Sequence, residues 1–206
     1  MTGRIILRMD AKSQKQSNRE NLLSQGVSLL MQQGYHGTGL KEILDAVQIP
    51  KGSFYNYFGS KERFAAEVIQ HYIEPFILQL DGHLQNQEVD ALTAIHRYFN
   101  ELIAALEQAN YQGGCLLGNL MGEVGDTSGL CRESLQTAVH RYRDVLAQGL
   151  LTAQQQGAVR TDKTAEAMAD LLVNSWQGAL LRMKIEQSSE PLKQCCRDLL
   201  GDYFKT

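Results

Sequence analysis

Residues 35–69 read YHGTGLKEILDAVQIPKGSFYNYFGSKERFAAEVI, which predicts two short helices joined by a tight turn and followed by a third helix. Thr38 is a candidate cap for the first helix, because a hydroxyl accepts a hydrogen bond from a free helical amide. Apolar residues then recur at the three- and four-residue spacing of one buried face. They are Leu40, Ile43, Leu44 and Val47. Proline suits a first helical turn and disfavours helical angles in the preceding residue, so a new helix begins near Pro50 and completes a helix-turn-helix.

The second helix of this pair has two distinct faces. At about 100° per residue, Phe54 and Phe58 share the inner face, and small or polar residues occupy the outer one. The outer residues are Lys51, Gly52, Ser53, Tyr55 and Asn56. Glycine inside a helix costs roughly 1 kcal/mol relative to alanine, and close approach to another molecule explains its presence here. This donor-rich surface fits the major groove of DNA, although a helical domain with a solvated polar face has the same pattern.

An overlapping string resembles the DNA-binding region of the TetR family of bacterial transcriptional regulators. It is GYHGTGLKEILDAVQIPKGSFYNYFGSKERF, from Gly34 to Phe64, and its most specific part is Lys-Gly-Ser-Phe-Tyr-Asn-Tyr-Phe followed by Ser60-Lys61-Glu62. The resemblance implies an all-α protein with an N-terminal three-helix DNA-binding domain and a larger helical domain for effector binding and dimerisation. It also implies a homodimeric repressor that leaves a palindromic double-stranded operator when a small-molecule effector binds.

The resemblance carries DNA contacts over, position by position, to side chains in and around the second helix. These are Thr38, Lys51, Ser53, Tyr55, Asn56, Tyr57 and Lys61, and Gly52 joins them from the argument about helix faces. We expect Lys51, Tyr55 and Lys61 to contact phosphates. Asn56 stands where many family members have histidine, which leaves the base preferred at this position open.

The composition excludes several classes of protein. The 206 residues are 43% hydrophobic, which is typical of a globular chain with a substantial core. No apolar run reaches the roughly 18 residues of a membrane span, and the Ile5-Ile6-Leu7 patch is too short for a signal peptide, so we expect a cytoplasmic protein without membrane partners. The four cysteines lack the paired spacing of a zinc site, and we expect neither a metal nor a cofactor.

Charge is divided unevenly along the chain. Residues 1–64 contain nine Lys or Arg against five Asp or Glu, giving +4, whereas the remaining residues contain eleven against eighteen, giving −7. The net charge of −3 therefore hides a basic N-terminal part. Basic residues in that part can displace counterions from phosphates, while the acidic remainder is repelled by DNA.

Three regions are predicted along the chain. They are a mobile basic arm at residues 1–16, the helix-turn-helix domain at 17–64, and a helical effector-binding and dimerisation domain at 65–206. The arm contains Arg4, Arg8, Lys12 and Lys15. Such an arm either contacts phosphate or the minor groove, or remains a solvated terminus.

Local signals predict where the early helices begin and end. Ser17 and Glu20 form a Ser-x-x-Glu capping box at the start of the first helix, and Gly34 ends it. Ser60 caps a fourth helix after the helix-turn-helix. Pro75 is expected to bend or end that fourth helix, because proline lacks the amide that a helix interior needs.

Helical periodicity continues through the rest of the chain, with helices predicted at about residues 90–109 and 130–156, one after Asp162 and one after Pro191. The last two resemble the helix pair that forms a four-helix dimer interface in TetR-family proteins. Their apolar stripe includes Trp176, Ala179, Met183, Leu192 and Leu199. That stripe forms either the dimer contact or part of the core of one subunit.

The segment from Gly113 to Met121 differs from its surroundings, with three glycines, one thiol and four large apolar side chains in nine residues. Flexible backbone beside apolar groups suits a pocket wall, and it also suits an ordinary glycine-rich helix start. Its Gly-Cys-Leu sequence around Cys115 resembles a branch of the TetR family whose members respond to reactive electrophiles or small unsaturated acids.

Cys115 is therefore the candidate effector-sensing residue, and it precedes a predicted short helix. Helix N-termini and cations stabilise a thiolate, and the cation whose position resembles the branch pattern is Lys184, in Trp-x-Gly-Ala-x-Leu-x-x-Lys. The predicted effector pocket comprises Tyr98, Leu102, Cys115, Met121, Tyr142, Trp176 and Lys184. The alternative interpretation is that Cys115 is an inert, small core residue.

Two other functions compete with the repressor hypothesis. A thiol-dependent enzyme would pair Cys115 with His140 or His96, but the sequence contains no serine-hydrolase elbow, phosphate loop, dinucleotide fingerprint or metal-ligand motif. A helical adaptor would share the helices without binding DNA. The sequence therefore favours a regulator that is not an enzyme.

Overall fold

The computed structural model describes residues 2–205, with side chains described from Lys15 onward. Those residues form α-helices and contain no β-strand, which confirms the predicted all-α class. The helices are α1 (Thr2–Gly37), α2 (Leu40–Val47), α3 (Lys51–Phe58), α4 (Lys61–Leu84), α5 (Ala91–Gln108), α6 (Leu116–Val124), α7 (Gly129–Gln155), α8 (Ala165–Glu186) and α9 (Glu190–Cys196). A π-helical segment, Arg197–Tyr203, follows α9 directly.

The first helix is longer than the sequence predicted. It begins at Thr2, so the Ser17–Glu20 box lies inside α1 and does not cap it. The Arg4, Arg8 and Lys12 side chains of the predicted arm lie outside the described residues, and the role of residues 1–16 as an arm stays a prediction. Gly34 interrupts α1 as expected, with the non-helical angles φ 72° and ψ 179°.

Later helix boundaries agree closely with the sequence prediction. The Ser60 hydroxyl accepts a hydrogen bond from the Arg63 amide at 3.1 Å and caps α4. The Asp90 carboxylate caps α5 by accepting from the Thr93 amide at 2.9 Å. Pro75 does not end α4, which continues through it to Leu84.

The chain divides into two compact units. One contains the residues up to Tyr72 together with Asn119–Leu135, and the other contains Ile73–Gly118 and the residues from Gln136 onward. The division therefore falls within α4, within α6 and within α7. The sequence placed residues 119–135 entirely in the effector domain, whereas their contacts group them with the helix-turn-helix.

An aromatic cluster forms the centre of the first unit. The ring of Phe54 lies 5.3 Å from both Phe58 and Phe64, and the last two rings are 5.0 Å apart. All three side chains are buried. Gly26 lets α1 approach this cluster closely, because a Cβ atom there would lie 2.5 Å from the Phe64 ring. The α3 helix is thus anchored by its inner face, as the sequence predicted.

The core of the second unit is built from α5, α7, α8 and α9. Its largest aromatic contact joins Phe99 and Trp176, whose ring centroids are 4.7 Å apart. Most of the apolar stripe that the sequence left unassigned is buried in this core: Trp176, Ala179, Met183 and Leu192. Those residues belong to the interior of one subunit.

Another face of α8 is exposed and largely apolar. Leu171, Leu181 and Ile185 are 38%, 54% and 83% exposed, respectively. Exposed Asn174 and Gly178 complete a stripe with alternating spacings of three and four residues, which is the spacing of a helix-pairing seam. Among residues 2–205, no helix is long and apolar enough to cross a membrane.

Candidate functional site

The outer face of α3 is open to solvent. Lys51, Gly52, Tyr55 and Asn56 are exposed, and Ser53 and Tyr57 are half-buried at its edges. A Cβ atom placed on Gly52 would meet no atom within 4 Å, so neighbouring residues do not require glycine there. Burial of Phe54 and Phe58 on the opposite side fixes this orientation of α3. Six of the eight predicted DNA-contacting residues therefore share one accessible surface.

Cations lie beside the aromatic residues of this surface. The Lys51 ammonium is 6.0 Å from the centre of the Tyr55 ring, and the Lys15 ammonium on α1 is 5.8 Å from the Tyr57 ring. No carboxylate among the described residues lies within ion-pair distance of Lys51. The positive charge of Lys51 is thus available to a phosphate. Because the side chain is exposed, moving it toward a phosphate costs little free energy.

Thr38 differs from the prediction in two respects. Its side chain is completely buried, and its hydroxyl donates to the Gly34 carbonyl oxygen at 2.7 Å. The residue before α2 is Gly39, and the Glu42 side chain accepts from its amide at 2.9 Å. Thr38 therefore does not cap α2 and is not part of the exposed surface, because its hydroxyl instead closes the connection between α1 and α2.

Lys61 also makes contacts within the protein. Its ammonium donates to the Tyr35 carbonyl oxygen at 2.6 Å and lies 4.4 Å from the centre of the Tyr35 ring. Burial lowers the pKa of Lys61, and the nearby Glu123 and Glu42 carboxylates oppose that shift. This lysine holds the end of α1, whereas the sequence predicted only a phosphate contact.

In the second unit, Cys115 lies immediately before α6, as predicted. The Gln177 side-chain amide donates to the Cys115 sulfur at 3.2 Å. Gly118 makes room for that amide, because a Cβ atom there would lie 2.8 Å from the Gln177 oxygen. Across the same segment, a Cβ atom on Gly114 would lie 3.0 Å from the Cδ atom of Lys184. Gln177 and Lys184 of α8 therefore border the thiol-bearing segment, which is the stretch from Gly113 to Met121 that contains Cys115.

Sequence reasoning missed Gln177. It occupies an unassigned position of the Trp-x-Gly-Ala pattern, one residue after Trp176. A donor at that position has no local signature, because its acceptor is 62 residues away along the chain.

Tyr98 contributes a buried polar group near the thiol. Its side chain is fully buried, and its hydroxyl has no hydrogen-bond partner among the described residues. Burial raises the pKa of Tyr98 well above its usual range, with a smaller opposing effect from Tyr142, whose ring lies 6.3 Å away. The neighbouring Cys115 also raises this pKa. An unsatisfied buried hydroxyl is costly, so this group is suited to meet a polar atom of a ligand.

Most of the predicted effector residues come together in the second unit. Tyr98 and Trp176 belong to its core, and the partly buried Leu102, Cys115 and Tyr142 pack against that core. Met121 does not belong with them, since it lies in the first unit and is 40% exposed. A cavity of about 390 Å³ lies in the second unit, and none of the predicted effector residues lines it. Its lining residues are Asp81, Leu84, Gln85, Ala91, Asp144, Val145, Gln148, Gly149 and Thr152.

The other three thiols are in different surroundings. Cys131, Cys195 and Cys196 are buried, whereas Cys115 is partly exposed. Burial raises the pKa of Cys195 to about 11 and that of Cys196 to about 12, and it also raises the pKa of Cys131. These three sulfurs therefore remain protonated at neutral pH, and a protonated thiol is a poor nucleophile.

Two protein-family models match this chain. One is described as bacterial regulatory proteins of the tetR family and matches residues 22–68. The other is described as a tetracyclin repressor-like C-terminal domain and matches residues 91–199. The first match contains all of α2 and α3, and the second contains the thiol-bearing segment and α8.

Relatives with similar sequences and structures span nearly the whole chain. The HTH-type transcriptional repressor DhaR of Mycobacterium sp. GP1 is 34% identical over 176 residues, covering 85% of this chain and 87% of DhaR. The HTH-type transcriptional repressor NemR of Escherichia coli K12 is 31% identical over 182 residues, covering 88% of this chain and 92% of NemR. The crystal structure of the reduced form of E. coli NemR superposes with a TM-score of 0.84 at 29% identity and covers 92% of this chain and 97% of that one.

Proposed function

This chain belongs to the TetR family of bacterial regulatory proteins, and on that premise we propose that it is a homodimeric transcriptional repressor released from its operator by a small molecule. The relatives DhaR and NemR are both named transcriptional repressors. Their similarity extends over both units, so it supports a shared regulatory role for the whole chain. We assign the protein to the cytoplasm, where operator DNA is found.

The observation that carries this proposal is the exposed face of α3. Two buried phenylalanines, Phe54 and Phe58, anchor one side of the helix, and the opposite side presents Gly52 and Asn56 to solvent. A recognition helix needs this arrangement, because its inner face must hold the helix rigidly while its outer face enters the major groove. The open space beside Gly52 lets the α3 backbone approach base edges closely.

Two subunits are required to contact two operator half-sites. We assign the dimer contact to the exposed stripe of α8, which is Leu171, Asn174, Gly178, Leu181 and Ile185. Ile185 is 83% exposed within one chain, and a symmetric pairing of two α8 helices would bury it. Gly178 lies in the middle of the stripe with no atom within 4 Å of its Cβ position, which permits close helix approach.

We assign effector recognition to the surroundings of Cys115. The apolar residues Leu102 and Trp176, the unsatisfied Tyr98 hydroxyl and the Gln177 amide suit a small molecule with an apolar body and a hydrogen-bond acceptor. If the effector is an unsaturated carbonyl compound, the Cys115 thiolate adds to its β-carbon. The electron pair of the carbon–carbon double bond then moves toward the carbonyl group, and water supplies the proton to the α-carbon.

Release of DNA requires that the effector favour the conformation that cannot contact both half-sites. Each tenfold preference for that conformation contributes about 1.4 kcal/mol to the shift. Covalent capture at Cys115 would make the preference large, and noncovalent binding in the same place would produce a graded response.

The surroundings of Cys115 support a regulator over a thiol-dependent enzyme. The hydrogen-bond partner of its sulfur is the amide of Gln177, which cannot accept a proton as a general base does. His140 is exposed on α7, and His96 lies on α5. We therefore propose that any reaction at Cys115 serves sensing.

Fluorescence anisotropy with labelled DNA from upstream of the protein's own gene tests the function. We expect saturable binding that resists unlabelled random-sequence DNA and weakens steeply with salt, because a repressor both reads bases and displaces counterions. Addition of an electrophile such as N-ethylmaleimide is expected to release the DNA. A helical adaptor would show no preference for any upstream fragment over random DNA, and that result would refute the repressor proposal.

A further inference from the structure

The connection between α1 and α2 contains a sharp break at Gly34. Its backbone angles, φ 72° and ψ 179°, are not helical, although the helical path resumes at once and continues to Gly37. A break of this kind leaves the first amide groups of the resumed helical turn without carbonyl partners in their own helix. The affected amides are those of Tyr35 and His36.

One side chain from a distant part of the sequence satisfies both amides. The two carboxylate oxygens of Glu123, at the end of α6, accept from the Tyr35 amide at 2.8 Å and from the His36 amide at 2.6 Å. The fit around this carboxylate is close, because a Cβ atom on Gly34 would lie 2.5 Å from one of its oxygens. Glu123 thus acts as a helix cap supplied by another helix, and it also compensates the positive end of the turn.

Further contacts hold the same short segment from other directions. The Gly34 carbonyl oxygen accepts from the Thr38 hydroxyl, and the Tyr35 carbonyl oxygen accepts from the Lys61 ammonium. The α2 helix begins two residues after Thr38. The backbone that leads into the helix-turn-helix is therefore held through both its amides and its carbonyl groups, and Glu123 supplies the acceptors for the amides.

We propose that Glu123 is a positioning residue for DNA binding: its carboxylate fixes the turn at Tyr35 and His36 and thereby sets where α2 and α3 begin. A recognition helix discriminates between bases only if its backbone is held in one place before the DNA arrives. Without the cap, the segment from Gly34 to Gly39 gains freedom that operator binding must remove, and affinity falls by the cost of that ordering. The inference goes beyond the assigned recognition surface, and it rests on the proposed function for its DNA-binding consequence.

The negative charge of Glu123, considered alone, predicts that its removal strengthens DNA binding. A positioning role predicts weaker binding, so the two explanations can be distinguished by experiment. Removing a carboxylate near a DNA-binding surface reduces repulsion and should strengthen binding to any DNA. Loss of a positioning group should instead weaken specific binding while leaving random-sequence binding nearly unchanged. Glu123→Ala removes both acceptors, and Glu123→Gln removes the charge but keeps one acceptor oxygen. Asp126→Asn is the matched control, since it neutralises an exposed acid three residues further along the chain.

The experiment combines amide hydrogen exchange without DNA and anisotropy with operator and random DNA. For Glu123→Ala we expect exchange at Tyr35 and His36 to accelerate and operator affinity to fall about tenfold, because both capping hydrogen bonds are lost and binding must then order the freed segment. Glu123→Gln should lie between Glu123→Ala and the unaltered protein. The Asp126→Asn control should bind both DNAs as tightly as the unaltered protein or slightly more tightly.

Two results would overturn the proposal. One is unchanged amide exchange at Tyr35 and His36 in both Glu123 variants. The other is an equal loss of operator and random-DNA binding, which indicates a smaller folded fraction and no positioning effect. If Glu123→Ala does not fold, Glu123→Gln still decides the question by the same two measurements. The repressor function and the role of Glu123 can fail separately. If the unaltered protein prefers no DNA sequence, the repressor function is refuted. Amide exchange needs no DNA, so it still tests whether Glu123 holds the turn at Tyr35 and His36.

Discussion

The Lys61 ammonium donates to the Tyr35 carbonyl oxygen at 2.6 Å and lies over the ring of the same tyrosine, 4.4 Å from its centre. One cation thus satisfies a carbonyl group at the end of α1 and contacts an aromatic face. The contact joins the start of α4 to the segment that leads into α2. Lys61 therefore contributes to the stability of the DNA-binding unit before any DNA is present.

Lys61 and Lys51 are expected to give different results when each is replaced by methionine, which keeps the apolar stem. Lys61→Met should lower the free energy of unfolding by about 2 kcal/mol, since a charge-assisted hydrogen bond is lost. Lys51→Met should leave stability unchanged and reduce the slope of log affinity against log salt by about 1, because one phosphate contact is lost. Urea denaturation and salt-dependent anisotropy measure the two effects. An equal reduction of the salt slope in Lys61→Met would show that Lys61 contacts a phosphate in the complex.

Gly52→Leu is expected to abolish operator binding while the protein stays folded. No atom lies within 4 Å of the Cβ position of Gly52, so a larger side chain meets only solvent in the free protein. In the complex the same side chain would occupy the space into which base edges must fit. Circular dichroism should show an unchanged melting temperature, and anisotropy should show loss of specific binding. Retention of operator affinity in Gly52→Leu would exclude α3 as the recognition helix in the predicted orientation.

Cys115 is expected to react with a maleimide at neutral pH before the other three cysteines. Burial raises the pKa of Cys131, Cys195 and Cys196, so each of these thiols stays protonated to a higher pH than an exposed thiol does. Mass spectrometry of partially labelled protein identifies the modified residue. Label spread evenly over four cysteines would leave only a noncovalent effector pocket.

Gln177→Ala and Lys184→Met are expected to slow that reaction. The Gln177 amide orients the sulfur at 3.2 Å and supports negative charge on it, and the Lys184 stem packs beside Gly114. Labelling rates at fixed pH measure both effects, and labelling of the unfolded variants in denaturant provides the control for intrinsic reactivity. Rates that match the unaltered protein in both variants would mean that neither side chain activates Cys115.

Ile185→Asp is expected to convert the dimer to a monomer and to weaken operator binding by more than tenfold, because one subunit reaches only one half-site. Leu78→Asp is the matched control, since Leu78 is 61% exposed on α4 and lies outside the α8 stripe. Sedimentation equilibrium reports the oligomeric state of each variant. A dimer that survives Ile185→Asp and dissociates in Leu78→Asp would place the interface on α4.

The all-α class, the helix-turn-helix and the outward face of α3 could be predicted from the sequence alone. Those features depend on periodicity and on capping residues within a few positions of one another, such as Phe54 with Phe58 and Ser60 with Arg63. The DNA-binding signature also lies within one short segment, and its residues remain adjacent in the fold.

The partners that side chains find far away in the sequence could be identified only from the folded chain. Glu123 meets Tyr35 across 88 residues and Gln177 meets Cys115 across 62 residues, and neither pair has a local pattern that marks it. The fold likewise buried Thr38 and turned the Ile185 side of α8 outward. Periodicity shows that a helix has faces, but the packing of distant segments determines which face is covered and which polar group finds its partner.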